Sequence, residues 1–468
     1  MKRLALIFLF IVCYELSYAE SLPVVYIAAQ DISTEFSNAT IRIDDGEEMT
    51  AEIRYRGATS LKYKKKSFAI KLKDNDGNKR NAALLGMRSD NSWILDAMTV
   101  DKARMRNRVS TDLWLDFSAK LHYADDEPQA VNGTHGKFVE VFLNDEYYGL
   151  FCMTEKIDRK QLKLKKISNN AVRGVLYKLT GYFSMWIQDP SRYEWNNLID
   201  TWNNAWEAKY PDLSQGESID WEPLVNIVRW LNEATDEEVK TEIADIIDLP
   251  VWVDYFLLTD LLLADDNVAK NMFVSLYNIQ QSNCRATVTP WDLDATWGRN
   301  YQAEAVDPDT ETALYHQIHS RFLSSLNGAA TLYEPRYATL RRSYFTADAL
   351  KSYFKRYFNL FRSTEVAWRE QARWGGIDGI ELDFDTEEEY IYNWIDRRIA
   401  YLDEKYNYSD KTSRLSQLAE NCNYGSYPVF TAYGQVVGFV KYPSYENLLE
   451  LHPGKGIFIV ADKKFVVR

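Results

Sequence analysis

Two short acidic stretches, at 264–271 and 290–298, contain residues whose types and spacing could do chemistry. In the first stretch Asp266 is followed five residues later by Asn271, and Asp292 comes after a segment long enough for one strand hairpin. A kinase-type phosphotransfer site needs this order, because one aspartate faces the acceptor hydroxyl while an asparagine and a later aspartate hold a metal ion. The structural alternative is that the first aspartates cap a helix end and Asp292 closes a turn.

One apolar helix is predicted to lead into the first acidic stretch. The sequence Asp-Leu-Pro at 248–250 is typical of a helix start, and the apolar run that follows continues to Leu263. Carboxylates at the C-terminal end of a helix oppose its dipole, so Asp266 and the aspartate before it need a compensating cation. Lys270 and a bound metal ion are the natural candidates.

A basic connection lies between two alternating, strand-like segments at 51–57 and 67–72. Its lysines are Lys62, Lys64, Lys65 and Lys66. One interpretation is a solvated loop. The other is a phosphate-facing hairpin whose lysines hold a triphosphate while Lys71 reaches inward from its strand. Neither GxGxxG nor GxxxxGK[ST] occurs here, so a nucleotide loop at this place is not of the common kinds.

A helix is predicted over 101–117, with Asp101 as its N-cap. Its first turns contain Arg104 and Arg106, whose charges oppose the helix dipole there. These arginines therefore require acidic partners or a phosphate, and structural pairing is the favoured interpretation.

The other segments predict a β-rich first region and a mainly helical second region. A strong hairpin signal joins 138–143 to 147–153, and strands are predicted at 272–277 and 285–289. Helices are predicted within 183–265, at 346–371 and at 385–407. From residue 411 onward, short strand-like segments predict a separate small module.

Composition and charge exclude several classes of protein. Hydrophobic residues at 46% and aromatic residues at 14% predict a globular core in this chain of 468 residues. The net charge of -13 disfavours a nucleic-acid binder or an anionic-membrane binder, because the field of the protein would repel phosphate. The cysteines after residue 19 are Cys152, Cys284 and Cys422, which allow at most one disulfide.

The first residues predict a secretory signal. Lys2 and Arg3 precede an apolar run at 4–12, which is too short to span a bilayer, and Ala19 ends a plausible cleavage site. Cys13 raises the alternative of a lipid anchor, although Val12 stands where lipoprotein processing requires a small residue.

Eight short motifs follow one another between about residues 40 and 405. They lie at 56–60, 65–72, 84–87, 105–107, 140–150, 154–157, 266–271 and 290–294. In this order they resemble the spore-coat H (CotH) kinase family. Each motif alone is weakly specific, so the resemblance depends on their common order.

The resemblance implies a secreted or surface-associated atypical protein kinase that uses ATP and Mg²⁺ (or Mn²⁺) to phosphorylate Ser/Thr of a protein. It implies that Asp266 is the catalytic carboxylate, with Lys270 beside it. The implied metal ligands are Asn271, Asp292 and Asp294. The implied nucleotide contacts are Arg56, Lys66, Lys71 and Glu155. Glu155 would either pair with the strand lysine or lie near the adenine.

The chain departs from the family pattern at a few positions. Ala58 and Leu61 stand where the family continues with Asn and an aromatic residue, and Trp297 replaces the usual Phe. The last 40 residues resemble the C-terminal sorting tail of secreted Bacteroidetes proteins. The alternative for this segment is an ordinary β appendage.

We therefore predict an α+β chain with a two-lobed, atypical protein-kinase-like fold. Its parts are a signal peptide (1–19), a β-rich N-lobe (20–182), a mainly helical C-lobe with the catalytic and metal motifs (183–410) and a small all-β module (411–468). The predicted function is a secreted, metal-dependent kinase without a transmembrane helix. The alternative is a kinase-fold surface-binding protein or adhesin with weak catalysis, which the scarcity of extracellular ATP favours. A glycan acceptor would use the same metal site.

Overall fold

The structure is a computed structural model of the chain. It describes residues 21–180, 206–211, 220–268, 270–314, 316–409, 427–431, 436–440, 444–451, 455–460 and 463–467. The predicted signal peptide lies outside the described residues, as does Cys422. Helices and strands are both well represented, so the predicted α+β class is confirmed.

Strands of the first region close into a seven-stranded barrel. The strands of this region are β1 (Val24–Ala29), β2 (Ser37–Ile43), β3 (Met49–Arg56), β4 (Ser67–Leu72), β5 (Ala82–Ala83), β6 (Ser89–Asp90), β7 (Ser92–Asp96), β8 (Gly136–Leu143) and β9 (Glu146–Thr154). The barrel order is β1-β2-β3-β4-β7-β9-β8, and parallel pairing of β1 with β8 closes it. Alternate side chains such as Ile27, Ile53 and Phe68 fill its interior. The β-rich prediction is confirmed, whereas its closure into a barrel was not predicted.

A second sheet and most helices form the rest of the molecule. Its strands are β10 (Val175–Leu179), β11 (Trp206–Tyr210), β12 (Met272–Leu276) and β13 (Ala286–Pro290), in the antiparallel order β11-β10-β12-β13. The helices are α1 (Arg106–Phe117), α2 (Glu222–Glu233), α3 (Asp236–Ile246), α4 (Leu249–Leu262), α5 (Gln317–Leu326), α6 (Glu334–Leu340), α7 (Ala347–Ser363), α8 (Val366–Trp374) and α9 (Phe384–Lys405). Strand β11 lies in a region that the sequence predicted to be helical. Strand β10 pairs with β12, although the prediction placed its residues in the N-lobe.

Helix α4 is the central element of this second part. All its residues from Val251 to Leu262 are buried, which is expected of a helix that is apolar on every side. It packs against β13, α6 and α9. Pro250 lies in its first turn, and Leu263 ends it in a left-handed conformation. The predicted helix leading to the acidic stretch is therefore confirmed.

Two predicted helix boundaries differ from the structure. Helix α1 begins at Arg106 rather than at residue 101, because Asp101 accepts the backbone N–H groups of Met105 (2.7 Å) and Arg106 (2.6 Å) across an intervening turn. The predicted helix at 346–371 is two helices, α7 and α8. Glu365 separates them, since its left-handed backbone (φ 57°) interrupts the helical path.

The C-terminal segment forms a small sheet of its own. Its strands are β14 (Tyr427–Thr431), β15 (Val436–Val440), β16 (Gly456–Val460) and β17 (Lys463–Val467), in the order β15-β14-β16-β17. Val429, Leu448 and Val460 belong to its own apolar core. The module also contains helix α10 (Tyr445–Glu450), which corrects the prediction that it is all β. Its likeness to a sorting tail stays a prediction.

No helix in the described ranges is both long and apolar enough to cross a membrane.

A buried carboxylate joins the barrel to the helical part. Glu370 on α8 pairs with Lys65 (2.7 Å) and Arg104 (2.8 Å), and it accepts the backbone N–H of Leu150 on β9 (2.8 Å). Burial lowers the pKa of Lys65 to about 7, against the attraction of Glu370. The basic connection between β3 and β4 is therefore anchored in the core through Lys65, and not wholly solvated as one interpretation of its sequence held.

We expect Glu370→Ala to destabilise the protein by about 3–5 kcal/mol, because it leaves two buried cations without a carboxylate. Urea unfolding followed by circular dichroism measures the difference. Gln371→Ala is the matched control on the same helix, where the side chain is exposed, and it should change the free energy of unfolding by less than about 0.5 kcal/mol. Equal midpoints for the two variants would contradict this role of Glu370.

Candidate functional site

The first acidic stretch forms a short turn after α4 that holds Asp266 in one orientation. A 3-10 turn covers Asp265–Asn267. One carboxylate oxygen of Asp266 pairs with Lys270 Nζ (2.7 Å), and the other accepts Asn271 Nδ2 (3.0 Å). The prediction that Lys270 compensates the charge at the helix end is confirmed. Because both of its oxygen atoms are bound, the carboxylate is held in one orientation and can face an acceptor group without a further loss of rotational freedom.

The hairpin of β12 and β13 brings the second acidic stretch beside the first. Met272 pairs with Pro290 in the antiparallel register, and the N–H of Trp291 donates to the carbonyl of Asn271 (3.0 Å). Asn271 and Asp292 both adopt left-handed backbones, with φ of 55° and 61°. These conformations are uncommon for residues other than glycine, and they mark a constrained place in the chain.

Asp292 and Asp294 lie close to other carboxylates. Asp292 is exposed to solvent on one side and surrounded by protein atoms on the other sides. This burial raises the pKa of Asp292, although the positive charges of Lys178 and Arg56 act to lower it. Burial, together with the charges of Asp292 and Asp96, raises the pKa of Asp294 well above its usual value. A cation bound here would stabilise these carboxylates in their ionised form.

Two cationic side chains from different parts of the fold approach Trp291. Arg56, at the end of β3, lies 5.8 Å from the centre of the indole ring, and Lys178, on β10, lies 6.0 Å from it. Burial lowers the pKa of Lys178, whereas the charge of Asp292 raises it. The structure thus brings Arg56 to the acidic site, and its contact with phosphate stays a prediction. It adds Lys178, which is recognisable in the sequence only as a lone lysine in an apolar strand.

Asp96 and Asn107 connect the barrel to the second acidic stretch, and neither was among the predicted site residues. Asp96, at the end of β7, accepts the Met98 N–H (3.0 Å) and Asn107 Nδ2 (3.2 Å). The amide oxygen of Asn107 accepts the N–H of Leu293 (3.1 Å). The available signals were an aspartate directly after an apolar strand and an asparagine within one of the family motifs.

Arg106 fixes the segment that follows Asp294. Its guanidinium donates to the carbonyl of Thr296 (2.9 Å) and pairs with Asp101 (2.7 Å) and Glu387 (2.6 Å). The predicted structural pairing of the helix arginines is therefore confirmed for Arg106, as it is for the arginine that pairs with Glu370.

Two predicted phosphate-binding lysines are not brought to the acidic site. Lys71 lies on the outer face of the barrel, 4.0 Å from the ring of Phe36, where Glu52 opposes it across the strands. Ser67 on the same strand lies near the site, since its hydroxyl donates to Asp96 (3.4 Å). Lys71 is four residues farther along β4, at a distance of about 13 Å from Ser67. The expected inward reach of Lys71 is wrong, since the alternation of β4 sends it outward. Lys66 donates to the carbonyl of Leu61 and so closes its own loop.

Glu155 is occupied by structural partners. Its carboxylate accepts the backbone N–H groups of Arg88 (3.1 Å) and His135 (2.9 Å) and the side-chain amide of Gln161 (2.8 Å). The suggested pairing with Lys71 is therefore wrong. Burial alone would raise the pKa of Glu155, but the hydrogen bonds from His135 and Arg88 lower it to about 2.

The residues of the site fit a divalent cation that takes only part of its ligands from the protein. Within the described ranges, no group of three or more His, Cys, Asp or Glu side chains could hold a metal ion by itself. Asn271, Asp292 and Asp294 offer hard oxygen atoms, which Mg²⁺ and Mn²⁺ accept, and Mg²⁺ commonly completes its shell with phosphate oxygens and water. Burial and the nearby charges of Asp292 and Asp96 raise the pKa of Asp294, and a bound cation would offset both effects, which supports this fit.

We expect Glu155→Gln to lower stability in a pH-dependent way. Because the pKa of Glu155 is depressed to about 2 in the folded protein, its contribution is complete above its unfolded pKa of 4.5 and is lost as the pH falls toward 2. Urea unfolding at several pH values should give wild type the advantage at pH 6, and this advantage should shrink between pH 4.5 and pH 3. A difference that does not change with pH would contradict the assignment.

The family described as CotH kinase protein matches residues 53–402. A curated relative, the inner spore coat protein H of Bacillus subtilis (strain 168), is 23% identical over 261 residues, which cover 55% of this chain and 62% of the relative. The chain therefore spans less than two thirds of the length of that relative. Because the family match covers more than half of the chain and includes every residue of the candidate site, the chain belongs to the CotH kinase protein family.

Proposed function

We propose that the protein is a metal-dependent phosphotransferase that moves the γ-phosphate of ATP to a Ser/Thr hydroxyl of a protein. The observation that carries the proposal is that Asp266, Asn271 and Asp292 lie at one place, beside the paired ends of β12 and β13. Phosphoryl transfer requires mainly positioning and charge neutralisation, and this arrangement is suited to both.

In the proposed reaction Asp266 accepts the proton of the acceptor hydroxyl. The hydroxyl oxygen bonds to the γ-phosphorus, the bond from that phosphorus to the β-phosphate oxygen breaks, and ADP leaves. Lys270 and Asn271 hold the carboxylate while it does so, at 2.7 Å and 3.0 Å. A base in this position needs only to be ionised and to lie within hydrogen-bond reach of the hydroxyl.

The other side chains serve the nucleotide and its metal. Mg²⁺ or Mn²⁺, when bound, neutralises the charge that the phosphates carry. Its proposed ligands are Asn271, Asp292 and Asp294. Arg56 and Lys178 face the phosphates, because both are cations that approach Asp292 and the ring of Trp291.

The proposed architecture is an atypical two-lobed kinase whose N-lobe is the closed barrel. The link from Asp96 through Asn107 to Leu293 supports this proposal, since it ties the barrel to the metal-binding segment. Export also stays part of the proposal, because the positive start and the apolar run of the first residues are typical of a signal peptide.

We expect the full chain, incubated with Mg²⁺ or Mn²⁺ and γ-labelled ATP, to phosphorylate itself or a Ser-rich protein. Asp292→Asn should lower incorporation at least about 100-fold, because it removes a metal-binding charge without changing the side-chain volume. Asp307→Asn, at a surface ion pair with Arg397 (2.8 Å), is the matched control and should retain activity. If wild type and Asp292→Asn show the same background label and no metal-dependent ATP binding, the surface-binding alternative replaces the kinase.

Two lysine substitutions test which lysine binds the nucleotide: Lys178, which the structure brings to the site, or Lys71, which the family resemblance implies. Lys178→Met should raise the KM for ATP roughly 10- to 100-fold, because a charge-assisted bond to phosphate contributes about 1.5–3 kcal/mol. Lys71→Met should leave the KM within about twofold, since that side chain lies on the outer face of the barrel. The opposite ranking in steady-state kinetics would show that Lys71, and not Lys178, serves the nucleotide.

A further inference from the structure

A buried asparagine lies between the two acidic stretches. Asn267 is fully buried, and its amide nitrogen donates to two backbone carbonyls, those of Trp291 (2.6 Å) and Asn271 (3.2 Å). The backbone carbonyl of Asn267 in turn accepts the hydroxyl of Tyr255, a buried residue of α4 (2.6 Å). The backbone N–H of Asn267 donates to the carbonyl of Ala264, at the end of helix α4 (2.8 Å).

The orientation of this amide follows from its neighbours. Both groups that face it are carbonyl oxygens, which only accept hydrogen bonds, so the nitrogen and not the oxygen of the amide must lie between them. The amide oxygen of Asn267 is buried and has no hydrogen-bond partner among the described residues. Buried polar atoms without partners are rare. The amide oxygen of Asn267 is such an atom among the described residues, whereas the amide nitrogen of the same side chain makes two hydrogen bonds.

The two carbonyls that Asn267 contacts lie directly at the proposed metal ligands Asn271 and Asp292. One is the carbonyl of Asn271 itself, and the other precedes Asp292 directly. Both residues have the uncommon left-handed backbone. The N–H of Trp291 also donates to the carbonyl of Asn271 (3.0 Å), so Asn267 completes a closed set of contacts around the two residues.

We propose that Asn267 is the positioning residue of the site, which sets the separation and orientation of Asn271 and Asp292 without contacting metal or substrate. This inference depends on the proposed function for its consequence in catalysis. Tyr255 supports Asn267 from helix α4, which is buried from Val251 to Leu262, so the site is anchored on an element of the protein core. Residues that orient metal ligands from behind typically change metal affinity 10- to 100-fold when replaced.

The test is Asn267→Asp, which keeps the size of the side chain and removes its two donor bonds. Mn²⁺ is titrated into the full chain in the presence of a non-hydrolysable ATP analogue, and electron paramagnetic resonance reports the bound fraction. We expect the dissociation constant for Mn²⁺ to rise about 10- to 100-fold, with a larger effect on kcat than on the KM for the acceptor. Hydrogen exchange of the backbone amides at 289–293 should become at least about tenfold faster, because Trp291 loses its fixed neighbour.

Two tyrosine variants separate positioning from general destabilisation. Tyr255→Phe removes the bond to Asn267. Tyr123→Phe removes an equally buried bond to the carbonyl of Leu162 (2.9 Å), in which neither acidic stretch takes part. Only the first should weaken Mn²⁺ binding and speed exchange at 289–293. Equal effects of the two variants, or wild-type binding and exchange in Asn267→Asp, would overturn the proposal. If wild type binds no Mn²⁺ with the nucleotide analogue, the kinase proposal fails, and the exchange measurement still decides the role of Asn267.

Discussion

The antiparallel register of β12 and β13 is the constraint on which the candidate site depends. Pairing of Met272 with Pro290 leaves the residue before one strand and the residues after the other side by side. Asn271 and Asp292, which the whole hairpin separates in the sequence, therefore become neighbours through the pairing of the two strands. A shift of one strand by one residue would turn the side chains of that strand to the opposite face of the sheet and so break this juxtaposition.

Buried charge is the second organising feature of the molecule. Lys65 and Arg104 meet Glu370, Arg106 meets Asp101, and Arg398 meets Asp260 within the core. Such pairs are costly to form and more costly to break, so each holds two elements at a defined separation. Around Asp292 and Asp294, burial and neighbouring carboxylates instead raise the pKa of both side chains. Carboxylates that crowd together, in contrast to the paired charges elsewhere in the core, are typical of a functional site.

Local patterns predicted the elements near the site well. The helix that starts after Asp248, the β8–β9 hairpin and the compensation of Asp266 by Lys270 all follow from short-range chemistry, and the structure has each of them. The positions of lysines were predicted less well. Lys71 and Lys178 both stand in apolar strands, and only the assembled sheets decide that one faces outward and the other approaches Trp291. The pairing of Glu155 with Lys71 was wrong for a similar reason, because the partners of Glu155 come from three separate loops.

The sequence by itself determined which residues could do chemistry and in which order they occur. The spacing of Asp266, Asn271 and Asp292 is local information, as is the helix that ends just before them. Tertiary structure alone decided the closure of the barrel, the joining of β10 to the second sheet and the arrival of Asp96, Lys178 and Asn107 at the site. The physical reason is that these contacts depend on strand register and on the pairing of buried charges between distant segments, which no local period in the sequence encodes.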